Sequence, residues 1–416
     1  MPNLHAQTNE RDAAISIIHT LRKADHIAYL AGGCVRDQLL GEVPKDYDVA
    51  TSAHPEHIAE LFTKTAAVGA AFGVMLVRDF GPTIEVATFR SDGPYSDARR
   101  PDHVHYSSPE EDAQRRDFTI NALFLDPHDD GDTIIDFVNG QADIEAKILR
   151  AVGDPDARLK EDHLRALRAV RFAARYGLTI DPKTSDAIKA HASKLTGVSV
   201  ERIGHEIRRM MSHPSRVRAV QLLRAHLLDR AIFDYAPYND SLRTLTALNP
   251  DAHAITAVAA WRHDNNGQWK LSKMKDGWKH KYWAWDLDLT NSEQWHLVHV
   301  FEIAYTMAEQ WDTLSIAARK RTAARLHANE GLMLAEATKP TDWISPRAEL
   351  IQLANDGIGL APEPLITGQT LIDMGQSPGQ GFKEVLDRVY DAQLEGKVDS
   401  FESARNLAAE LFVKLS

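Results

Sequence analysis

At 416 residues, with 44% hydrophobic and 26% charged residues, the chain exceeds one ordinary domain and can build several cores, so two to four domains in tandem are expected. No apolar run approaches the ~20 residues of a membrane helix. The N-terminal MPNLHAQTNERD has no signal-peptide centre, and a single cysteine, Cys34, excludes an internal disulfide framework. These traits set the expectation of a cytoplasmic protein with no membrane partner. A formal net charge of −11 argues against phosphate binding, but the charge is uneven. Between Arg158 and Arg224, fifteen Lys/Arg stand against six Asp/Glu, a basic segment that reads equally well as an RNA-facing surface or a solvated helical one.

In chain order, residues 11–23 read as an amphipathic helix, followed by a strand over 27–31 that meets a Gly-Gly turn and a helix over 35–40 stopped by Gly41. Further strands are expected over 47–50, 72–77, 83–89, 121–125 and 133–137. After Gly153-Asp154-Pro155 the periodicity turns helical and stays so, which predicts an α/β or α+β N-terminal domain followed by an all-helical remainder. Residues 261–295 hold six of the eight tryptophans with Lys270, Lys273, Lys275, Lys279 and Lys281, a set that suits an RNA surface, though aromatics at helical spacing more often form core.

Three constellations carry chemistry. In the first, Gly32-Gly33-Cys34-Val35-Arg36-Asp37 places a glycine turn between strand and helix, where backbone N–H groups can approach an anion and Arg36 can add charge-assisted bonds to a phosphate. An ordinary βα turn is the plain alternative. Asp46 and Asp48 follow at i and i+2 in an expected strand, so both carboxylates project from one face and can hold Mg²⁺, with Glu85 as a third ligand. A lone D-x-D is more often a solvated loop; the preceding glycine turn favours the metal reading.

The second constellation, Arg115-Arg116-Asp117-Phe118-Thr119-Ile120-Asn121, sets two arginines before an expected strand, one able to clamp a nucleotide; the plain alternative is that Asp117 and Asn121 hydrogen-bond the backbone and Arg115 is merely exposed. The third, residues 160–172, reads as one helix with an acidic start and arginines at 165, 168 and 171, which spiral by about 60° per three-residue step and so serve different tasks. Asp162 and Arg165 can present a joint acceptor and donor edge that accepts cytosine and adenine and rejects uracil and guanine. Alternatively, Glu161 simply pairs with Arg165 at i+4.

In this order, LAGGCVRDQLLGEVPKDYDVATS, EVATFRSDGPYSDARRPDHV, RRDFTINAL, EDHLRALRAVRFAARYGL and ERIGHEI resemble the class II tRNA nucleotidyltransferase and bacterial poly(A) polymerase family, from Tyr29 to about Arg224. The C-terminal LITGQTLIDMGQSPGQGFKEVLDRVYDAQLEGKV resembles family tails more generically. The resemblance implies a polymerase-beta-like mixed-sheet catalytic head over 1–153, a helical neck with the nucleotide-selecting helix over 154–238, and a tRNA-binding body and tail over 239–416. It implies nucleotide contacts from Gly32, Gly33, Arg36, Arg116, Arg168 and Arg171, Mg²⁺ binding by Asp46 and Asp48, and a protein template for the base in Asp162 and Arg165. The substrates would be CTP, ATP and tRNA, with no obligate protein partner. Segment 91–111 resembles the flexible loop that members need for adding the terminal A. The dipeptide His263-Asp264 is similar to the signature of a phosphohydrolase domain fused to some relatives, but without further ligands it reads as structural.

Overall fold

The computed structural model describes residues 4–69, 72–95, 101–128, 131–233, 241–266 and 287–415. Two compact units divide the chain: Met1–Glu206 with Arg218–Asp234, and Ile207–Val217 with Tyr235–Ser416. Among the described residues no helix is long and apolar enough to cross a membrane.

The first unit is organised by a seven-stranded mixed sheet in the order β3-β4-β5-β2-β1-β8-β9. Its strands are β1 (Ala28–Ala31), β2 (Asp48–Thr51), β3 (Thr65–Gly69), β4 (Val74–Val77), β5 (Ile84–Thr88), β8 (Phe124–Asp126) and β9 (Thr133–Ile135). β2 runs antiparallel to β1, with Ala31 opposite Asp48, and parallel to β5, with Val49 opposite Val86. A separate hairpin pairs β6 (Arg90–Asp92) with β7 (Val104–Tyr106), so the stem of the expected flexible loop is a two-stranded ribbon. The loop's residues 96–100 lie outside the described residues. Phe89, Phe124, Ala31, Ala50, Ala113, Ala122 and Val152 pack into one core beneath the central strands. Phe89 and Phe124 meet edge to face at 5.7 Å, the geometry ring quadrupoles favour.

Helix α1 (Leu4–Lys23) begins earlier than the sequence pattern suggested, α2 (Gly33–Leu39) starts at the second glycine of the turn, and the short helices α3 (Pro55–Leu61), α4 (Pro109–Gln114) and α5 (Gly140–Glu145) follow. β3 was not anticipated: Thr65-Ala66-Ala67-Val68-Gly69 lies at the sheet edge, where small residues leave no strong alternation to read. The strand expected over 121–125 begins only at Phe124, because a 3-10 turn occupies Thr119–Asn121. Asp46 likewise precedes β2 rather than belonging to it.

The largest departure is in the third constellation, which is not one helix. α6 (Pro155–Glu161) ends at Asp162, whose extended backbone (φ −153°, ψ 106°) breaks the turn, and α7 (Arg165–Arg175) begins three residues later. Asp154 caps α6 through a bond from the Ala157 N–H, and Pro155 fits the first turn, where no N–H is needed. Asp181-Pro182 repeats this at the start of α8 (Pro182–His191).

The second unit is helical throughout its described residues. Ile366, Leu371, Val385, Val389, Val398, Ala404, Ala408 and Leu411 form a core around helices Gln380–Leu394 and Phe401–Leu415. In the tryptophan-rich segment Trp261 is fully buried whereas Trp295 is 65% exposed. The tryptophans and lysines between 267 and 286 lie outside the described residues. Asp264 takes the Thr244 and Leu245 N–H groups at 2.8 and 2.9 Å, and His263 Nδ1 meets Thr244 Oγ1 at 3.0 Å. The His-Asp pair thus caps helix Arg243–Ala247, a structural role.

Candidate active site

The site is built where β1 hands over to α2. Gly32 adopts φ 69°, ψ −114°, and a Cβ there would sit 2.9 Å from Arg116 Nη1 and 3.6 Å from the Asn121 carbonyl oxygen. Only glycine satisfies both the backbone and the space. Its N–H donates to the Leu123 carbonyl at 3.0 Å, tying the turn to the segment that carries the second constellation.

Across the sheet, Asp48 opens β2, with Asp46 exposed just before it and Glu85 exposed on β5. Burial, and then the charges of Glu85 and Asp46, push the Asp48 carboxyl up to about 6 against the opposing charge of Arg116. Glu85 and Asp46 act on Asp48 as like charges, and oxygen donors of this kind suit a hard divalent cation. Cys34 beside them is inert: burial first, and then the Asp48 charge, lift its thiol to about 11.

Asn121 is the hub. Its Oδ1 accepts from Arg36 Nη1 at 2.5 Å, its Nδ2 donates to Asp117 Oδ1 at 3.1 Å, and its backbone carbonyl accepts from Arg116 Nη1 at 3.2 Å. Asp117 in turn takes Arg168 Nε at 2.8 Å and Nη2 at 2.6 Å. Desolvation raises the Asp117 carboxyl, but Arg168 and the Asn121 bond outweigh it and hold it at about 2. Arg36 is buried rather than open, its guanidinium bound to Asp37 at 2.6 Å and Tyr176 Oη at 2.8 Å, with its Cζ 4.7 Å from the Tyr176 ring centre. One continuous chain therefore runs Tyr176, Asp37, Arg36, Asn121, Asp117, Arg168, joining the glycine turn to α7.

Neither arginine of the second constellation is merely exposed. The buried Asp112 holds Arg115 Nη2 at 2.7 Å and Arg116 Nη2 at 2.9 Å, and Arg115 also donates to the Arg90 carbonyl at 3.0 Å. Asp112 went unread in the sequence although its i+3 and i+4 spacing to the two arginines was a usable signal. Arg116 lies over the Phe124 ring at 5.0 Å, which aims it toward Gly32.

Asp162 and Arg165 are each held by a different neighbour. Arg202 grips the Asp162 carboxylate at 2.6 and 3.2 Å, and the Leu164 N–H donates to it at 3.0 Å. Arg165 pairs with Glu161, as the plain i+4 reading anticipated, and donates to the Arg158 carbonyl at 2.8 Å. Arg171 is buried against Glu206 at 2.6 Å and over Phe172 at 4.1 Å. Sequence reasoning missed Arg202 and Glu206 as partners, since both lie more than thirty residues from the side chains they hold.

Much of the basic segment is engaged in this way rather than presented to solvent. Arg216 donates to the carbonyls of Leu248, Asn249 and Ala252, Arg218 to that of Leu178, and Arg208 pairs with Glu293 at 2.8 Å.

Residues 28–150 match the family model described as the poly A polymerase head domain, and residues 177–238 match the probable RNA and SrmB-binding site of polymerase A. A CCA-adding enzyme of Geobacillus thermodenitrificans is 33% identical over 395 residues, covering 93% of each chain. The chain belongs to the class II tRNA nucleotidyltransferase and bacterial poly(A) polymerase family. A CCA-adding enzyme of Latilactobacillus sakei is 35% identical over 92% of this chain and 93% of its own length. The Bacillus stearothermophilus CCA-adding enzyme, solved in complex with CTP, shares 28% identity and superposes with a TM-score of 0.77 over 96% of each chain. Membership makes this chain a nucleotidyltransferase that works with a divalent metal.

Proposed function

We infer that this chain is a CCA-adding tRNA nucleotidyltransferase, which adds two CMP and one AMP to the 3′ end of tRNA from CTP and ATP without a nucleic-acid template. The observation that carries this reading is the Asn121 hub, which links the glycine turn, Arg36 and Arg116 to Asp117 and Arg168 in a chain whose relatives at 33–35% identity and 92–93% coverage are CCA-adding enzymes.

In the proposed site Asp46 and Asp48, aided by Glu85, hold Mg²⁺, which supplies activation of the 3′-hydroxyl and neutralisation of the triphosphate. Gly32 and Gly33 leave the backbone open to the phosphates, and Arg116 bonds the incoming nucleotide. Arg36 and Arg168 act from within the hydrogen-bonded chain, fixing the turn and α7 at one spacing. Asp162 and Arg165 read the base edge, their carboxylate and guanidinium held at the break between α6 and α7. Arg171, packed on Phe172, completes the nucleotide pocket. The hydroxyl attacks the α-phosphorus and pyrophosphate leaves. We propose the division into head 1–153, neck 154–238 and body with tail 239–416, the last contacting tRNA, and cytoplasm as the compartment.

The test is incorporation on tRNA transcripts ending before CCA, after C and after CC, with each labelled nucleotide and an unstructured RNA beside them. Two CMP and then one AMP, with termination, is expected. AMP alone on the CC-ending transcript would mean an A-adding enzyme, and long A tracts on the control would mean a poly(A) polymerase.

A further inference from the structure

The helical second unit holds a group of side chains that nucleotidyl transfer does not use. His253 precedes helix Ala254–Asn266, His296 lies on helix Asn291–Tyr305, and Glu330 lies on helix Ala328–Thr338. One ligand atom from each lies within 4.8 Å of the other two. His296 is buried and its Nε2 contacts Glu330 Oε2, while Thr256 Oγ1 donates to the same oxygen at 2.8 Å. The His253 ring sits 4.7 Å from that of His296. The His327 ring stacks on the other side at 3.8 Å with 10° between planes, its Nδ1 3.8 Å from Glu330 Oε2. His327 keeps a left-handed backbone, φ 67°, to do so, a conformation non-glycine residues seldom adopt.

We propose that His253, His296 and Glu330 bind one Zn²⁺ ion, with His327 Nδ1 or water in the fourth position. Two imidazole nitrogens and one carboxylate oxygen are the donor set of a borderline cation that accepts tetrahedral coordination, not of Mg²⁺, which prefers an all-oxygen octahedron. The Thr256 hydroxyl is placed as an outer partner that orients the Glu330 carboxylate. His253 is exposed and gives the ion a route in. A hydrogen-bond network alone accounts for His296, Thr256 and Glu330, but it gives no reason for an exposed histidine to be held ring to ring with a buried one. Two contacts are surrendered: His253 Nδ1 accepts the Ile255 N–H at 3.2 Å, which ligation through either ring nitrogen ends, and the contact of His296 Nε2 with Glu330 Oε2 gives way when those atoms become ligands. The ion would pin three helices that the sequence leaves far apart, so its role is structural.

The experiment is calorimetric titration of the chelator-treated full chain with Zn²⁺ alone, together with the visible spectrum of the Co²⁺-loaded chain. One ion per chain is expected, with an intense tetrahedral Co²⁺ band. Affinity should fall at least tenfold in H253N, which keeps a side-chain acceptor for the helix N-terminus, and stoichiometric binding should vanish in the H253N/E330Q double variant. CMP incorporation with Mg²⁺ should persist in H253N, which separates this site from the catalytic one. Absence of stoichiometric binding, a purely octahedral Co²⁺ spectrum on the unmodified chain, or equal binding by the double variant would overturn the assignment. The spectrum decides the matter even where a variant fails to fold.

Discussion

Replacing Gly32 with alanine tests the glycine turn against a built-in control, Gly41. Both have positive φ, 69° and 75°, but a Cβ at Gly41 meets nothing within 4 Å, whereas at Gly32 it meets Arg116 Nη1 at 2.9 Å. Gly41→Ala therefore incurs backbone strain alone, about 1 kcal/mol, and should leave incorporation near normal. Gly32→Ala incurs strain of about 1–3 kcal/mol and also displaces a guanidinium pinned by Asp112 and the Asn121 carbonyl. Arg116 can yield only by giving up its charge-assisted bond to Asn121, worth about 1.5–3 kcal/mol. If Arg116 contacts the nucleotide, that second part appears in kcat/KM for CTP as a loss of about 10- to 100-fold, since 1.36 kcal/mol is tenfold. Steady-state CMP incorporation on tRNA lacking CCA, with thermal melts alongside, measures both parts. In an Arg116→Ala background the added effect of Gly32→Ala on kcat/KM should shrink to the strain part, because the clash is gone. Gly32→Ala with kcat/KM within threefold of the parent, or additive effects in the cycle, would refute the reasoning.

Asp46→Ala with Asp48→Ala should abolish incorporation while a filter-binding assay still detects tRNA binding; surviving incorporation would remove these residues from the metal site. Asp117, with a folded pKa of about 2 below its ordinary value of 3.8, contributes stability that is full above pH ~4 and is lost as pH falls through 2, about 2 kcal/mol in all. Asp117→Asn should accordingly flatten the acid-unfolding curve between pH ~4 and 2, and an unchanged curve would count against the Asp117–Arg168 pairing. Arg202→Ala frees the Asp162 carboxylate, so UMP misincorporation should rise relative to CMP by about tenfold with little change in melting temperature; an unaltered ratio would mean that Asp162 does not read the base. Asp264→Ala removes two buried bonds to the start of helix Arg243–Ala247 and should lower stability by about 2–4 kcal/mol, with Asp264→Asn recovering part of it.

These expectations divide according to the range of the interactions behind them. The turns flanking α2 were legible because the positive φ of Gly32 and of Gly41 is a local backbone need that glycine meets without help from distant neighbours. The D-x-D pair was legible as chemistry but not as geometry, since Asp46 lies outside the strand and its relation to Glu85 depends on the parallel pairing of β2 with β5. The break at Asp162 was missed because residues 155–175 are rich in helix formers, and periodicity alone gives no reason to stop. At the break Arg202, forty residues downstream, holds both oxygens of the Asp162 carboxylate, and the Leu164 N–H donates to Oδ1 as well. A local pattern cannot report a partner at that distance. The same holds for Asn121, whose three bonds reach α2, Arg116 and Asp117, and which a strand pattern would have pointed into the sheet. The residues that set site geometry are thus the ones whose local preference is overruled by a distant charge, so a departure from the expected helix or strand at a polar residue is itself a pointer to the site.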